Sequence, residues 1–178
     1  MNKILKYLML GVLAVCFTAP VAAKVEAAKI AVVPLIVNVE DEGGMNAILY
    51  SEACSKQFTY PEFDFVDTDL VKKAVAAQKD VFSKAGMQAI MDATGADIVM
   101  AMSVDKFDWM EDRMRQEPVT KLDFSGKFAT LNRLTGKYKS DHWSNTNEME
   151  SEAISPRSDW PHAEFARTVR QEIKKAAK

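Results

Sequence analysis

Cysteine is scarce in this 178-residue chain: there are two, and only Cys54 lies beyond the first 23 positions. The remainder therefore has no intramolecular disulfide to rely on, and its stability must come from an apolar core. Histidine is equally scarce, and neither His142 nor His162 has a second histidine one helical turn away or a cysteine pair beside it. That excludes the helical and ribbon-type zinc patterns. No glycine-rich loop leads into a Lys-Ser or Lys-Thr pair, and Ser125-Gly126 lacks the glycine two residues ahead of the serine that a nucleophile elbow requires. An excess of charge of one sign is missing as well. There are 23 basic and 25 acidic residues, and nothing in that balance calls for nucleic acid. Long apolar runs are absent after residue 23.

The one such run sits at the start. Lys3 and Lys6 precede an apolar stretch at residues 8–15, and Val21-Ala22-Ala23 has the small residues that a signal peptidase accepts. Residues 1–23 read as a secretory signal peptide and residues 24–178 as a single domain, periplasmic or secreted. Lys6, Gly11, Thr18 and Pro20 interrupt the stretch, which argues against a spanning helix, since that takes about 20 mostly apolar residues. The alternative is a lipoprotein leader with lipid on Cys16, which would make the chain a membrane-anchored lipoprotein subunit of an oligomeric secretion or envelope complex. Val15 opposes it, because a small residue usually precedes a lipidated cysteine, and so does the apolar run that continues at residues 17–23. The leader carries two of the basic residues and no acidic ones, which leaves the domain at about −4 with neutral histidines.

Residues 29–37 (KIAVVPLIV) form a β-branched run without polar alternation, the pattern of a strand covered on both faces, with Pro34 forcing a bulge or gap because it has no amide hydrogen. Gly43-Gly44 leads into a helix at residues 45–57 with Ile48, Leu49, Ala53 and Cys54 at helical spacing. Cys54 is expected to be buried. A short strand at 63–66 follows Pro61. Helices are predicted after the caps at 67–69, carrying Leu70, Val71, Ala74 and Val75, and after Ser83, carrying Met87, Ile90 and Met91 and stopping at Gly95. Residues 97–109 read as the longest strand. Residues 113–118 read as a polar turn, and 119–131 and 138–146 as strands joined by a hairpin at 134–137. A last helix is expected from 158 or 160 to 177. Crossover and hairpin connections together predict an α/β, or α+β, domain with one mixed sheet of about five strands and helices packed on it.

Three segments in this order carry a family resemblance: KIAVVPL at 29–35, TGADIVM at 94–100 and LNRLTGK at 131–137. Together they resemble the extracytoplasmic α/β domain shared by the TolB N-terminal domain, the curli-secretion lipoprotein CsgG and the LpoB-type activators of penicillin-binding proteins. The resemblance implies a module without enzymatic activity that docks on another envelope protein, or on copies of itself, in envelope assembly or maintenance. CsgG-like channel formation would need a lipid anchor and long amphipathic insertions, which are not evident here.

The candidate partner-binding residues are Phe107, Trp109, Met110 and Met114, large apolar groups set among Asp105, Asp108, Glu111, Asp112 and Arg113. The last helix offers Phe165, Val169, Ile173 and Ala176 on one stripe. Arg167, Arg170, Lys174 and Lys178 lie on another, a candidate surface for anionic lipid or cell-wall polymer. The acidic loop at 40–44 follows a strand and precedes a helix, but its carboxylates repel phosphate, so it reads as a solvated turn. Asp141-His142 and His162 read as structural, and no catalytic residue, cofactor or metal is expected. A hydrolase is the rival reading, and it would require Asp141, His142 and a further acid to converge in one deep pocket.

Overall fold

The computed structural model describes residues 26–112, 114, 119–150 and 160–176. The leader, Cys16, Lys178 and the turn expected at 113–118, apart from Met114, lie outside the described residues. Seven strand segments make one mixed sheet, and four α-helices pack on it. The α/β expectation therefore holds. Two sheet irregularities explain why seven segments stand where about five strands were predicted.

The first irregularity splits residues 29–37 into β1 (Ala28–Val32) and β2 (Ile36–Val37). Both run parallel to β4 (Ile98–Val104). Val32 lies opposite Met100 but Ile36 lies opposite Ser103, so three residues centred on Pro34 span the space of two. Proline has no N–H to give the ladder, and the chain bulges where that donor is missing.

The second irregularity breaks the long strand predicted at 97–109. β4 pairs with β6 (Val119–Asn132) up to Met102 opposite Phe128, and β5 (Lys106–Asp112) resumes with Lys106 opposite Ser125. Again three residues face two. The Asp105 amide donates to the Ser125 carbonyl at 2.8 Å, and the Lys127 amide donates to Ser103 Oγ at 3.0 Å. Gly126 makes the close approach possible, because a Cβ there would lie 1.8 Å from the Ser103 carbonyl oxygen. Side chains alternate along a strand, so one inserted residue reverses which face each later residue occupies. Met100, Met102 and Val104 share a core with Phe124 and Phe165, and after the bulge it is Phe107, not Lys106, that packs against this core.

The sheet order is β3–β1–β4–β6–β5, with β3 at Phe63–Phe65, β2 on β4, and β7 (Lys137–Glu150) along β6. β1 and β4 are interior neighbours, as the continuous apolar runs require. From β1 the chain passes through α1 (Met45–Gln57) to β3. It then returns through α2 (Thr68–Ala76) and α3 (Lys84–Thr94) to β4, on the other side of β1. The predicted caps are in place. Asp67 accepts from the Asp69 and Leu70 amides, and Ser83 Oγ from the Gly86 amide, all at 3.0 Å. α1 packs with α4 (Trp160–Ala176) on one face of the sheet around Tyr50, Phe58, Met100, Phe124, Phe165 and Val169. α2 and α3 cover the other face around Val71, Met87, Ile90, Val99 and Ala129.

Two side chains and one strand boundary differ from expectation. Ile48 is half exposed, because the buried stripe of α1 runs through Asn46, Tyr50, Ala53 and Cys54, and a residue two places from both 46 and 50 lies about 200° around the helix from each. Leu70, on α2, is likewise largely exposed. β7 extends to Glu150 because β6 supplies a continuous partner from Val119 onward.

Candidate docking surface

Beyond the second bulge, β5, the first half of β6 and the second half of β7 form an antiparallel ribbon. One face of it is closed by α4. Phe107 lies 6.2 Å from Phe124, 6.0 Å from Phe165 and 5.6 Å from His162, ring centre to ring centre. Phe107 thus serves the core rim, and the exposed apolar groups are its neighbours. Trp109 is 61% exposed, Met110 62% and Met114 97%. Trp109 pairs with buried Leu122 and so shares the face of Phe107, whereas Met110 pairs with Lys121 on the opposite face. Of the four residues grouped in sequence, Phe107 and Trp109 therefore lie on one face of β5 and Met110 on the other, while Met114 lies past the strand's end.

The Met110 face is ionic. Lys106 Nζ lies 2.6 Å from Asp123 and 3.8 Å from Asp108, and Thr146 Oγ1 donates to Asp123 at 3.1 Å. The hydrogen bond from Lys106 holds the Asp123 carboxyl below its ordinary range, and the same contact raises the Lys106 ammonium. The Trp109 face instead looks across a cleft of about 250 Å³ to Glu40 and Asp41, with Asn46, Phe107 and His162 completing the lining. Asp41 Oδ1 accepts the Asn46 amide at 3.0 Å, and Asn38 Nδ2 donates to Asp105 at 2.7 Å, which ties the loop after β2 to the bulge. The acidic loop thus forms one wall of a cleft. Sequence reading missed this because the two sides lie more than 60 residues apart and meet only through the pairing of β2 with β4.

On α4, Phe165, Val169 and Ile173 are buried as expected, while the side chain of Ala176 lies outside the described residues. Arg167 is held by Glu164, which also accepts from Asn147 Nδ2 at 2.6 Å. Arg170 and Lys174 meet Lys56 of α1 in a small groove of about 150 Å³. Lys56 was not among the expected residues, since nothing in its local pattern announces that α1 lies beside α4.

The hydrolase reading required a convergence that the geometry supplies only in part. Asp141, His142 and Glu172 border one groove of about 450 Å³ between β7 and α4. Both Asp141 and His142 are exposed, Asp141 accepts the His142 backbone amide at 2.9 Å, and no hydrogen bond joins the His142 imidazole to a carboxylate among the described residues. Cys54 is buried beside Tyr50, and burial pushes its thiol up to about 12. The Tyr50 hydroxyl, also raised by burial and by the neighbouring thiol, finds no partner in hydrogen-bond geometry. Among the described residues no group of three or more His, Cys, Asp or Glu is arranged to hold a metal ion, and no helix is long and apolar enough to cross a membrane.

No protein-family model matches the chain, and no curated protein does. Solved structures are similar in outline. Lipoprotein GNA1162 from Neisseria meningitidis is 19% identical over 81% of this chain and 96% of its own, with a TM-score of 0.44. The hypothetical protein CT253 from Chlamydia trachomatis is 11% identical over 84% and 97%, with a TM-score of 0.48. The LpoB C-terminal domain from Salmonella enterica is 15% identical over 72% and 87%, with a TM-score of 0.33. At these identities and scores the likeness assigns neither a family nor an activity, and it does not resolve the TolB and CsgG resemblance further.

Proposed function

We propose that the chain is an exported protein-binding module without enzymatic activity, acting in assembly or maintenance of the cell envelope, and that it docks through the edge of β5. Residues 1–23 serve as the cleaved leader and 24–178 as the working domain. The carrying observation is the exposure of Trp109, Met110 and Met114 at one end of a sheet whose other large apolar groups are mostly buried. An exposed tryptophan bordered by charges is the composition of an interface anchor. By contrast, among the described residues no hydrogen bond links the His142 imidazole to the neighbouring Asp141 carboxylate, which accepts the His142 backbone amide instead.

A second reading rests on the groove shared by Lys56, Arg170 and Lys174: the α1/α4 side would contact an anionic surface such as lipid headgroups or cell-wall polymer. It is compatible with the first, since the two surfaces involve different residues.

Complementation of a deletion strain tests the main reading. Trp109→Glu and Met110→Glu should weaken function while circular dichroism shows a folded domain, and His142→Ala should leave function intact. Loss of function in a folded His142→Ala protein, with the Trp109 and Met110 variants fully active, would replace the binding module with the hydrolase.

A further inference from the structure

The cleft opposite Trp109 combines three chemistries. One wall is an indole, 61% exposed. The other bears the carboxylates of Glu40 and Asp41. Between them lies Asn46, buried to 1% exposure, whose Oδ1 accepts no hydrogen bond. A buried acceptor without a donor is costly, and native proteins leave few of them. Acceptors and a π-face together call for a cation with several N–H donors. No lysine or arginine lines the cleft, and His162 is the one residue there that can carry positive charge.

We infer that this cleft receives an arginine side chain presented by the protein partner. The inference rests on the docking reading above and specifies its chemistry. A guanidinium is flat enough to lie on the Trp109 indole, and its five donors are numerous enough for two carboxylates and an orphaned amide oxygen. A lysine ammonium would satisfy fewer of these acceptors and would stack less well. The volume, about 250 Å³, accommodates one such side chain and not a folded element.

The test uses the exported protein and a blocked Gly-Gly-Arg-Gly-Gly peptide, followed through the Trp109 indole N–H resonance. The arginine peptide should shift that resonance saturably, and the same peptide with citrulline, which keeps the shape but loses the charge, should not. Trp109→Ala, which lacks that reporter and is therefore followed by isothermal titration calorimetry alongside the unmodified protein, should bind about 2- to 30-fold more weakly, the range of a cation–π contact. Glu40→Gln should weaken binding about 2- to 5-fold, as loss of one exposed ion pair does. Glu40 is exposed and its replacement leaves the Asp41–Asn46 contact in place, so folding is preserved. Equal binding of the citrulline peptide, no binding of the arginine peptide, or displacement of that peptide by calcium or spermidine at matched ionic strength would overturn the inference. If Trp109→Glu abolishes complementation while Glu40→Gln and the citrulline exchange change nothing, docking through β5 stands and the arginine assignment falls.

Discussion

Gly126→Ala is the sharpest single perturbation of this fold, because one methyl group is directed at backbone. Its Cβ would stand 1.8 Å from the Ser103 carbonyl oxygen, 2.7 Å from the carbonyl carbon and 2.8 Å from Trp143 Cζ2. A side chain can rotate away from such a contact, but a strand carbonyl fixed by its neighbours does not. Relief requires β4 and β6 to separate at the bulge, straining the hydrogen bonds Asp105 N–Ser125 O and Lys127 N–Ser103 Oγ. A clash against backbone takes the upper end of the roughly 1–3 kcal/mol that overpacking costs, and the two weakened hydrogen bonds add up to about 1 kcal/mol each, so the substitution should cost about 3–5 kcal/mol. For a domain of this size that lowers Tm by roughly 6–20 °C. Urea unfolding followed by far-UV circular dichroism measures it directly. Gly136→Ala is the control: its φ is 68°, and nothing lies within 4 Å of the added Cβ, so it carries only the left-handed backbone penalty of about 1–2 kcal/mol. If Gly126→Ala costs no more than Gly136→Ala, the close approach and the register of the bulge are wrong. The facing assigned to Phe107 and Trp109 would then fall with them.

Cys54, with its thiol pushed up to about 12 by burial, should resist a disulfide reagent at pH 8 for as long as the chain is native and react fully in guanidinium. Rapid labelling of the native protein would show that the α1 face is open. Asp97 is held below its ordinary range first by the Arg133 guanidinium at 2.5 Å, with help from the Lys29 amide at 2.9 Å. A carboxyl depressed on folding stabilises above its unfolded value, near pH 3.9, and that stability is lost as pH falls through the folded value. Asp97→Asn should therefore cost about 1–2 kcal/mol at pH 7 and progressively less as pH falls below about 3.9, and a cost that does not change with pH would remove the ion pair as its cause.

How far the sequence revealed this arrangement depended on whether the signal was local. Residues 29–37 and 98–104 declared themselves as interior strands because a parallel strand covered on both faces has no polar alternation to hide it. The bulge at Pro34 was legible because proline carries its own reason. The one at Asp105 was not, since Gly126 acquires its meaning only once it lies opposite Ser103, 23 residues earlier in the chain. That hidden insertion decides which face Trp109 takes, while Trp109 and Met110 part company simply because successive strand residues alternate. Ile48 misled for a related reason: its neighbours suit a helix, but which stripe turns inward is decided by the sheet beneath. Glu40, Asp41 and Asn46 gave no sign of belonging with Trp109 until β2 paired with β4.

The long hairpin has a kinetic consequence. β6 and β7 join through a turn that closes with Asn132 opposite Lys137, so their pairing can spread outward from contacts only a few residues apart. β1 enjoys no such economy. Its neighbour β4 lies 68 positions later, at Ile98 opposite Ile30, and the two cannot meet until everything between them has been released. When the chain emerges from its N-terminus, β1 therefore has only β3 to pair with at first, and its other edge stays open while α2 and α3 appear. The hairpin, last to emerge apart from α4, is the element able to form soonest on arrival. Sequences that shield residues 29–37 during this interval, whether in the chain or in a chaperone, should govern the yield of folded protein more than anything done to the hairpin.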